Sequence, residues 1–390
     1  MIKNTHSNSH NNNLYIGLMS GTSMDGIDCV LTEIINNKVN LIDSLNQPIP
    51  KNLYKKLYEL VNNEPEKNQN YNKFDLINLL FKTDAELGEV FANAVLEIIS
   101  KNNLSSSQIA AIGSHGQTIY HNPSKPNGFT LQIGNPHVIS AKTKITTISN
   151  FRNLDIAYGG QGAPLVPIFH KEVFMDKSKI RAIINIGGIA NITYLNPIEN
   201  KVIGFDTGPG NTLLDVWYQK YNTDKSNLYD TDGDFAKSGK VNHELLNIFL
   251  DDPYFYLSPP KSTGREYFNQ QWLNKYIQVF NKSSPEDIQR TLVELTAITI
   301  SQQISKFCPN VDEIYFCGGG IHNKLLMQRI KILLNNFSGT TCDLNIPADW
   351  VEAMAFAYFA YMNINKIPVN LKDITGSSSV NSILGSTSYY

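Results

Sequence analysis

Two apolar, β-prone segments, residues 14–19 and 27–35, flank the polar turn Ser20-Gly21-Thr22-Ser23-Met24-Asp25-Gly26. They predict two strands of a β-meander, with a third over 38–44. Over 74–100, Leu76, Leu80, Leu87, Val90, Phe91, Ala94, Val95 and Ile98 recur at helical spacing, which predicts a helix. Short apolar runs at 109–112, 131–133 and 145–149 predict further strands, the first ending at Gly113.

In the middle of the chain a short strand, a glycine turn and a helix are expected to recur. Strand 181–186 leads to Gly187-Gly188, and strand 202–205 leads to Asp206-Thr207-Gly208-Pro209-Gly210-Asn211 and a helix from Thr212. Strand 313–317 leads to Gly318-Gly319-Gly320 and a helix over 324–334. Ser284-Pro285-Glu286-Asp287 reads as a helix start, with a capping serine, proline at the first position and acids in the first turn. A glycine turn before a helix presents unpaired N–H groups to an anion, so three such turns suggest an extended phosphate ligand. The alternation implies α/β domains with largely parallel sheet, made mixed by the opening meander.

A chain of 390 residues is long enough for two domains, and 42% hydrophobic with 17% charged residues supports packed cores rather than disorder. The formal charge of −2, with no basic stripe, does not imply a nucleic-acid partner. No apolar run has the length of a membrane span. Residues 1–13 lack the apolar segment of a secretory signal and are expected to be a disordered leader, which points to the cytoplasm. Cys29, Cys308, Cys317 and Cys342 form no CxxC pair and are expected to be buried thiols of a reducing compartment.

Each motif has a functional and a structural reading. Gly21 through Asp28 can bring backbone N–H groups and the hydroxyls of Thr22 and Ser23 to phosphate oxygens, with Asp25 and Asp28 orienting a hydrated Mg²⁺, or can be an ordinary hairpin loop. There is no Walker A loop and no dinucleotide fingerprint. Asp206 stands beside a glycine turn and a helix start, placing a general base next to a phosphate cradle, or caps the turn. Gly318-Gly319-Gly320 either admits a nucleotide or allows tight packing. Arg152, before the glycine-rich loop 155–167, either binds an anionic sugar substituent through its fork or makes a salt bridge. The cluster Gly113-Ser114-His115-Gly116-Gln117-Thr118 suits sugar hydroxyls, although a lone histidine is more often structural. Glu352, opening a helix whose Ala353, Ala355 and Ala357 permit close packing, is either a helix-dipole partner or a site carboxylate.

In order along the chain, these motifs resemble the anhydro-N-acetylmuramic acid kinase family. The resemblance rests on 18–28, Gly113–Thr118, 159–167, Asn185-Ile186-Gly187-Gly188-Ile189-Ala190-Asn191, 204–211, 317–323 and 352–357, and runs from about Leu14 to the C-terminus. It implies the two-lobed α/β actin-like ATPase (sugar kinase) fold with an interlobe active-site cleft. The expected first lobe is 14–150 with about 371–390, and the second is 151–370. The resemblance further implies ATP, Mg²⁺, the substrate 1,6-anhydro-N-acetylmuramic acid and a homodimer. It implies Asp206 as catalytic base and Gly21, Thr22, Ser23, Met24, Asp25, Gly26, Ile27 and Asp28 as phosphate loop. Gly208, Gly210, Asn211, Gly318, Gly319 and Gly320 complete the expected ATP site; Ser114, His115, Gln117, Thr118, Arg152 and Glu352 are expected at the sugar. Thr375-Gly376-Ser377 stands where the family more often has Thr-Gly-Ala. The competing readings are a kinase of another amino sugar on the same fold and a nucleotide-driven switch that phosphorylates nothing.

Overall fold

The computed structural model describes residues 12–21, 24, 26–62, 73–222, 227–280 and 283–390. Residues 1–11 of the expected leader, and Thr22, Ser23 and Asp25 of the first turn, lie outside the described residues. The described strands are β1 (Leu14–Met19), β2 (Gly26–Ile35), β3 (Lys38–Pro48), β4 (Ile109–Ser114), β5 (Gln117–Asn122), β6 (Phe129–Ile133), β7 (Thr147–Ser149), β8 (Arg181–Ile186), β9 (Ile189–Asn196), β10 (Lys201–Pro209), β11 (Glu313–Cys317), β12 (Phe337–Thr340) and β13 (Ser386–Ser388).

Two sheets carry the architecture. The first runs β13-β7-β4-β1-β2-β3 and the second β10-β9-β8-β11-β12. Each contains an antiparallel three-strand meander followed by two strands added in parallel on the meander's first strand. The chain thus uses one topology twice, a duplication with no visible trace as a sequence repeat. It also corrects the expectation at Gly187-Gly188: these residues turn the chain into the antiparallel strand β9, not into a helix. β10 runs past Phe205 to Pro209, because Asp206 and Gly208 pair with Asn191 and Ala190 of β9 across a bulge. Proline is tolerated there because β10 is an edge strand.

Helix Val351–Ile364 joins the halves. Apolar residues surround it, and its core cluster takes Tyr15 and Ala111 from the first sheet and Ile183, Leu195 and Tyr315 from the second. An all-round apolar helix has to be buried in this way. It lies directly on β1, β4 and β2. Close approach requires glycine at Gly17 and Gly113: a methyl group at Gly17 would collide with the Ala353 carbonyl, and one at Gly113 with the Phe356 carbonyl.

The helix expected over 74–100 spans Lys73–Lys101, with Leu76 turned to solvent and the residues from Leu87 onward forming the core face. The Ser284 hydroxyl caps the helix Pro285–Phe307 at the Asp287 N–H, 3.1 Å away. Three cysteines are buried as expected; Cys342 is exposed, because it sits in the short surface turn Thr341–Leu344.

Gly113→Val is expected to lower stability by about 2 kcal/mol or more, the cost of forcing bulk into a close-packed contact. A reduced midpoint in urea unfolding, with the slope unchanged, checks this.

Candidate active site

The duplicated topology brings matching pieces of the two halves to one cleft of about 1040 Å³. The β1–β2 turn contributes Ser20 and Gly21, and the corresponding β8–β9 turn contributes Gly187 and Gly188. The residues after β4 contribute His115 and Gln117, and those after β11 contribute Gly318 and Gly319. Crevices at the carboxyl ends of parallel strands are where α/β sheets bind ligands. Of the residues singled out in the sequence, Gly21, Asp28, His115, Gln117, Thr118, Arg152, Asp206, Asn211, Gly318, Gly319 and Glu352 line this cleft.

Asp206 sits on β10 opposite Asn191. One carboxylate oxygen, Oδ2, accepts the N–H of Thr263 at 3.0 Å. The Asp206 main chain is clamped too: its N–H donates to the Lys261 carbonyl at 3.1 Å, and its carbonyl accepts the Tyr254 hydroxyl at 2.8 Å. Burial raises the Asp206 carboxyl to about 7 against the opposing pull of the Thr263 amide and the Arg152 cation; the Glu266 carboxylate adds to the rise and Lys261 opposes it. Beside Asp206, Asn191 Oδ1 and Thr263 Oγ1 are buried without a hydrogen-bond partner among the described residues, and both residues line the cleft. Such atoms call for a polar ligand or a water.

Arg152 is buried in the field of three carboxylates, Glu352, Asp206 and Asp155. Its Nε and Nη2 donate to His115 Nε2 at 3.1 and 2.9 Å, and its Nη1 donates to the Gly162 carbonyl at 2.7 Å. His115 Nδ1 is 2.8 Å from the Gly116 carbonyl, which makes it the protonated nitrogen and Nε2 the acceptor. Burial, then Arg152, hold His115 well below the usual imidazole range, so the ring is neutral. Both ring nitrogens are therefore used inside the protein. The expectation that His115 hydrogen-bonds a sugar gives way to a ring that aligns Arg152. Glu352, in the first turn of its helix, has its carboxyl raised by burial, countered by Arg152 and by a hydrogen bond from Asn185 at the end of β8.

Other sequence expectations change. The N–H groups of Gly210, Asn211 and Thr212 donate to the carbonyls of Gly188, Gly187 and Gly188 at 2.8, 2.9 and 3.0 Å. These amides pin the Gly187-Gly188 turn and are not offered to an anion. Gly208 packs under Phe255, and Gly208 and Gly210 are not among the cleft-lining residues. Met24 and Ile27 are buried in the core beside β1, β2 and β4, Gly26 begins β2, and Ser114 is buried at the end of β4. The three glycines after β11 separate cleanly. Side chains at Gly318 or Gly320 would strike Asn185 or Ile186, whereas a Cβ at Gly319 meets nothing within 4 Å. Gly318 and Gly319 both line the cleft, but only Gly319 leaves open space for a side chain, and tight packing explains Gly320. Gln117 Oε1 accepts the Ser20 hydroxyl at 2.7 Å, tying the first turn to the residues after β4.

Sequence reasoning missed the segment Lys261–Glu266. It is irregular in structure, without the periodicity that marks an element, and only its small polar residues between aromatic stretches hint at a loop. Asn185 and Asn191 stood inside a recognised motif without an assigned role, and Gly187 and Gly188, expected as one of the three anion-presenting turns, line the cleft with them.

A profile of the anhydro-N-acetylmuramic acid kinase family matches residues 13–390. The chain belongs to this family. It is 47% identical over 368 residues to the anhydro-N-acetylmuramic acid kinase of Shewanella baltica strain OS155, covering 94% of this chain and 96% of the relative. Against the protein of that name from Shewanella denitrificans it is 47% identical over 372 residues, covering 95% and 97%. The activator of 2-hydroxyisocaproyl-CoA dehydratase from Clostridium difficile with bound ADPNP is similar at a TM-score of 0.45 and 12% identity, covering 90% of this chain and 96% of the activator. A ROK family glucokinase from Streptomyces griseus, in complex with glucose and AMPPNP, is similar at 0.36 and 10%, covering 88% and 98%. Family membership does not rest on these two weaker likenesses. A member of this family is a kinase, a phosphotransferase to an alcohol oxygen that uses ATP.

Gly319→Val is expected to leave thermal stability unchanged and to weaken ATP binding, while Gly320→Val lowers the melting temperature. Calorimetric titration and thermal melts of the two variants read the contrast directly.

Proposed function

We propose that this kinase opens the internal ring of 1,6-anhydro-N-acetylmuramic acid with water and phosphorylates O6, giving N-acetylmuramic acid 6-phosphate and ADP in recycling of the cell wall. The observation that carries this reading is Asp206: a buried carboxylate with a raised proton affinity, held by one oxygen on Thr263, beside two orphaned polar atoms. In a 1,6-anhydrosugar O6 is bonded to C1 and carries no proton. A base at this position therefore has no sugar hydroxyl to deprotonate at O6, but it can act on a water.

Asp206 takes a proton from a water that Asn191 Oδ1 and Thr263 Oγ1 are positioned to hold. The water oxygen bonds to C1 from the face opposite O6, the C1–O6 bond breaks, and C1 inverts. O6, gaining negative charge, attacks the γ-phosphorus of ATP in line, and the β–γ bridging oxygen leaves with ADP. The phosphorus thus traps the departing oxygen, a task that a general acid performs in ordinary glycosidases. Arg152, fixed by His115, stabilises negative charge on Asp206 as the base takes up and releases its proton. The open backbone at Gly319 accommodates the nucleotide.

Among the described residues, Asp28 on β2 is a cleft-lining carboxylate at the first turn, with Oδ1 accepting Asn46 Nδ2 at 2.8 Å. A single carboxylate suits Mg²⁺, which keeps most of its waters and takes its remaining ligands from phosphates, so Asp28 would hold the hydrated ion. Bound there, Mg²⁺ would neutralise charge on the phosphates. Asp25, the other expected ligand, lies outside the described residues. Among the described residues no helix is long and apolar enough to cross a membrane. The reading includes a cytoplasmic homodimer, which the free cysteines and the family resemblance support.

Asp206→Asn keeps the shape and removes the basicity, so turnover should fall by about a hundredfold or more while ATP still binds. In the unmodified enzyme kcat/KM should drop below pH about 7, as the raised Asp206 carboxyl takes up its proton. This acid limb should be missing from the residual activity of the variant. In water labelled with heavy oxygen, the label should appear at C1 and not in the transferred phosphate. Label in the phosphate, or ring opening at a comparable rate without ATP, would overturn the coupled mechanism.

A further inference from the structure

Among the described residues Lys261 is the most deeply buried lysine or arginine, 4% exposed, and it does not line the cleft. An ammonium group taken out of water is costly unless it is compensated. Its Nζ donates to the Tyr254 carbonyl at 3.3 Å and lies 4.6 Å from the centre of the Tyr254 ring, whose face attracts a cation. The negative charge that favours its protonated form is that of Asp206.

Tyr254 and Lys261 both hold Asp206. The Tyr254 hydroxyl donates to the Asp206 carbonyl at 2.8 Å, and the Asp206 N–H donates to the Lys261 carbonyl at 3.1 Å. The contacts close a ring: the Lys261 side chain on Tyr254, Tyr254 on Asp206, and Asp206 on the Lys261 main chain. Such a ring fixes where the ammonium stands relative to the carboxylate, so its charge can act without touching. Burial weakens the screening that would blunt this in water.

The charges around the pair set the direction. Burial, then Lys306 on the helix Pro285–Phe307, pull the Lys261 ammonium down to about 8, and Asp206 opposes them. Lys261 is therefore mostly protonated where Asp206, raised to about 7, changes state. Around Asp206, Arg152 and Lys261 favour the ionised form and Glu266 opposes it. Tyr254 stays neutral, because burial and then Asp206 hold its hydroxyl well above the usual range.

We infer that Lys261 is a positioning residue that, from outside the cleft, holds the Asp206 carboxylate in place and in its ionised form. This rests on the reading of Asp206 as the base. A cation near a carboxyl lowers its proton affinity, so removing the cation raises it.

The test follows kcat/KM for 1,6-anhydro-N-acetylmuramic acid across about pH 6 to 9 in the unmodified full-length enzyme, Lys261→Met and Tyr254→Phe. Lys261→Met removes the charge and should move the acid limb to higher pH by about half a unit or more. Its loss of activity should then be about threefold or more greater at pH about 6 than at pH about 8.5. Tyr254→Phe keeps the ring under the ammonium and removes the hydroxyl on Asp206, so its loss should be the same at every pH. A second arm leaves Lys261 unaltered and needs no turnover. Coupling between two sites is reciprocal, so Asp206→Asn should lower the proton affinity of Lys261. In carbon NMR of protein labelled at the lysine ε-carbons, one lysine should titrate well below the others, and its midpoint should fall further in Asp206→Asn. An unmoved midpoint would overturn the inference, as would an equal loss at every pH in Lys261→Met. So would a limb displaced as far by Tyr254→Phe, because clamp geometry and not charge would then set it. An acid limb that survives in Asp206→Asn would instead overturn Asp206 as the base, while the lysine midpoint still reads the coupling.

Discussion

One buried cation organises the chemistry of this cleft. Arg152 feels the charge of Glu352 in the first turn of helix Val351–Ile364, of Asp206 on β10 and of Asp155, and its donors are taken by a histidine after β4 and by a carbonyl of the glycine-rich loop. Removing the cation would leave the buried carboxyls of Glu352 and Asp206 without the positive charge that opposes their burial. The neutral state of His115 belongs to the same logic. A second positive charge against Arg152 would be repelled, and only the neutral ring offers Nε2 as an acceptor. Arg152 also acts on Asp206: its field opposes the burial that pushes the carboxyl upward, and the balance lies near neutrality, which suits the general base proposed above.

The setting for this charge cluster comes from using one sheet topology twice. In each half the turn after the first strand and the residues after the fourth arrive at the same edge, and the two edges face each other across the cleft. The halves meet on helix Val351–Ile364, whose residues fill a core drawn from both sheets. That helix approaches the first sheet closely because β1 and β4 each carry a glycine beneath it. The same helix begins with Glu352, so the packing that joins the halves also delivers a site carboxylate.

Much was legible along the chain. The helix over 74–100, the capped start at Ser284, most strands, and the positions of Asp206, Arg152 and Glu352 near a cleft follow from spacing, capping chemistry and the order of motifs. These depend on neighbours in sequence, where periodicity and local hydrogen bonds act. The family could be recognised for the same reason: its motifs are contiguous, and their order survives without a structure.

What the tertiary structure alone decided was which polar groups are already taken. The amides of Gly210, Asn211 and Thr212 look like a phosphate cradle in sequence, yet they are spent on carbonyls of a turn more than twenty residues away. Gly318, Gly319 and Gly320 are indistinguishable as letters, and only their surroundings separate two positions with no room for a side chain from one with open space. His115 and Arg152 read as two sugar ligands and turn out to satisfy each other. Thr263 and Arg265 lie in a segment with no pattern, and matter because that loop folds back on β10 and β5. Sequence spacing determined which groups are made and on which elements they sit. Hydrogen-bond partnership and burial are non-local, so only the folded chain determined which of those groups remain available for chemistry.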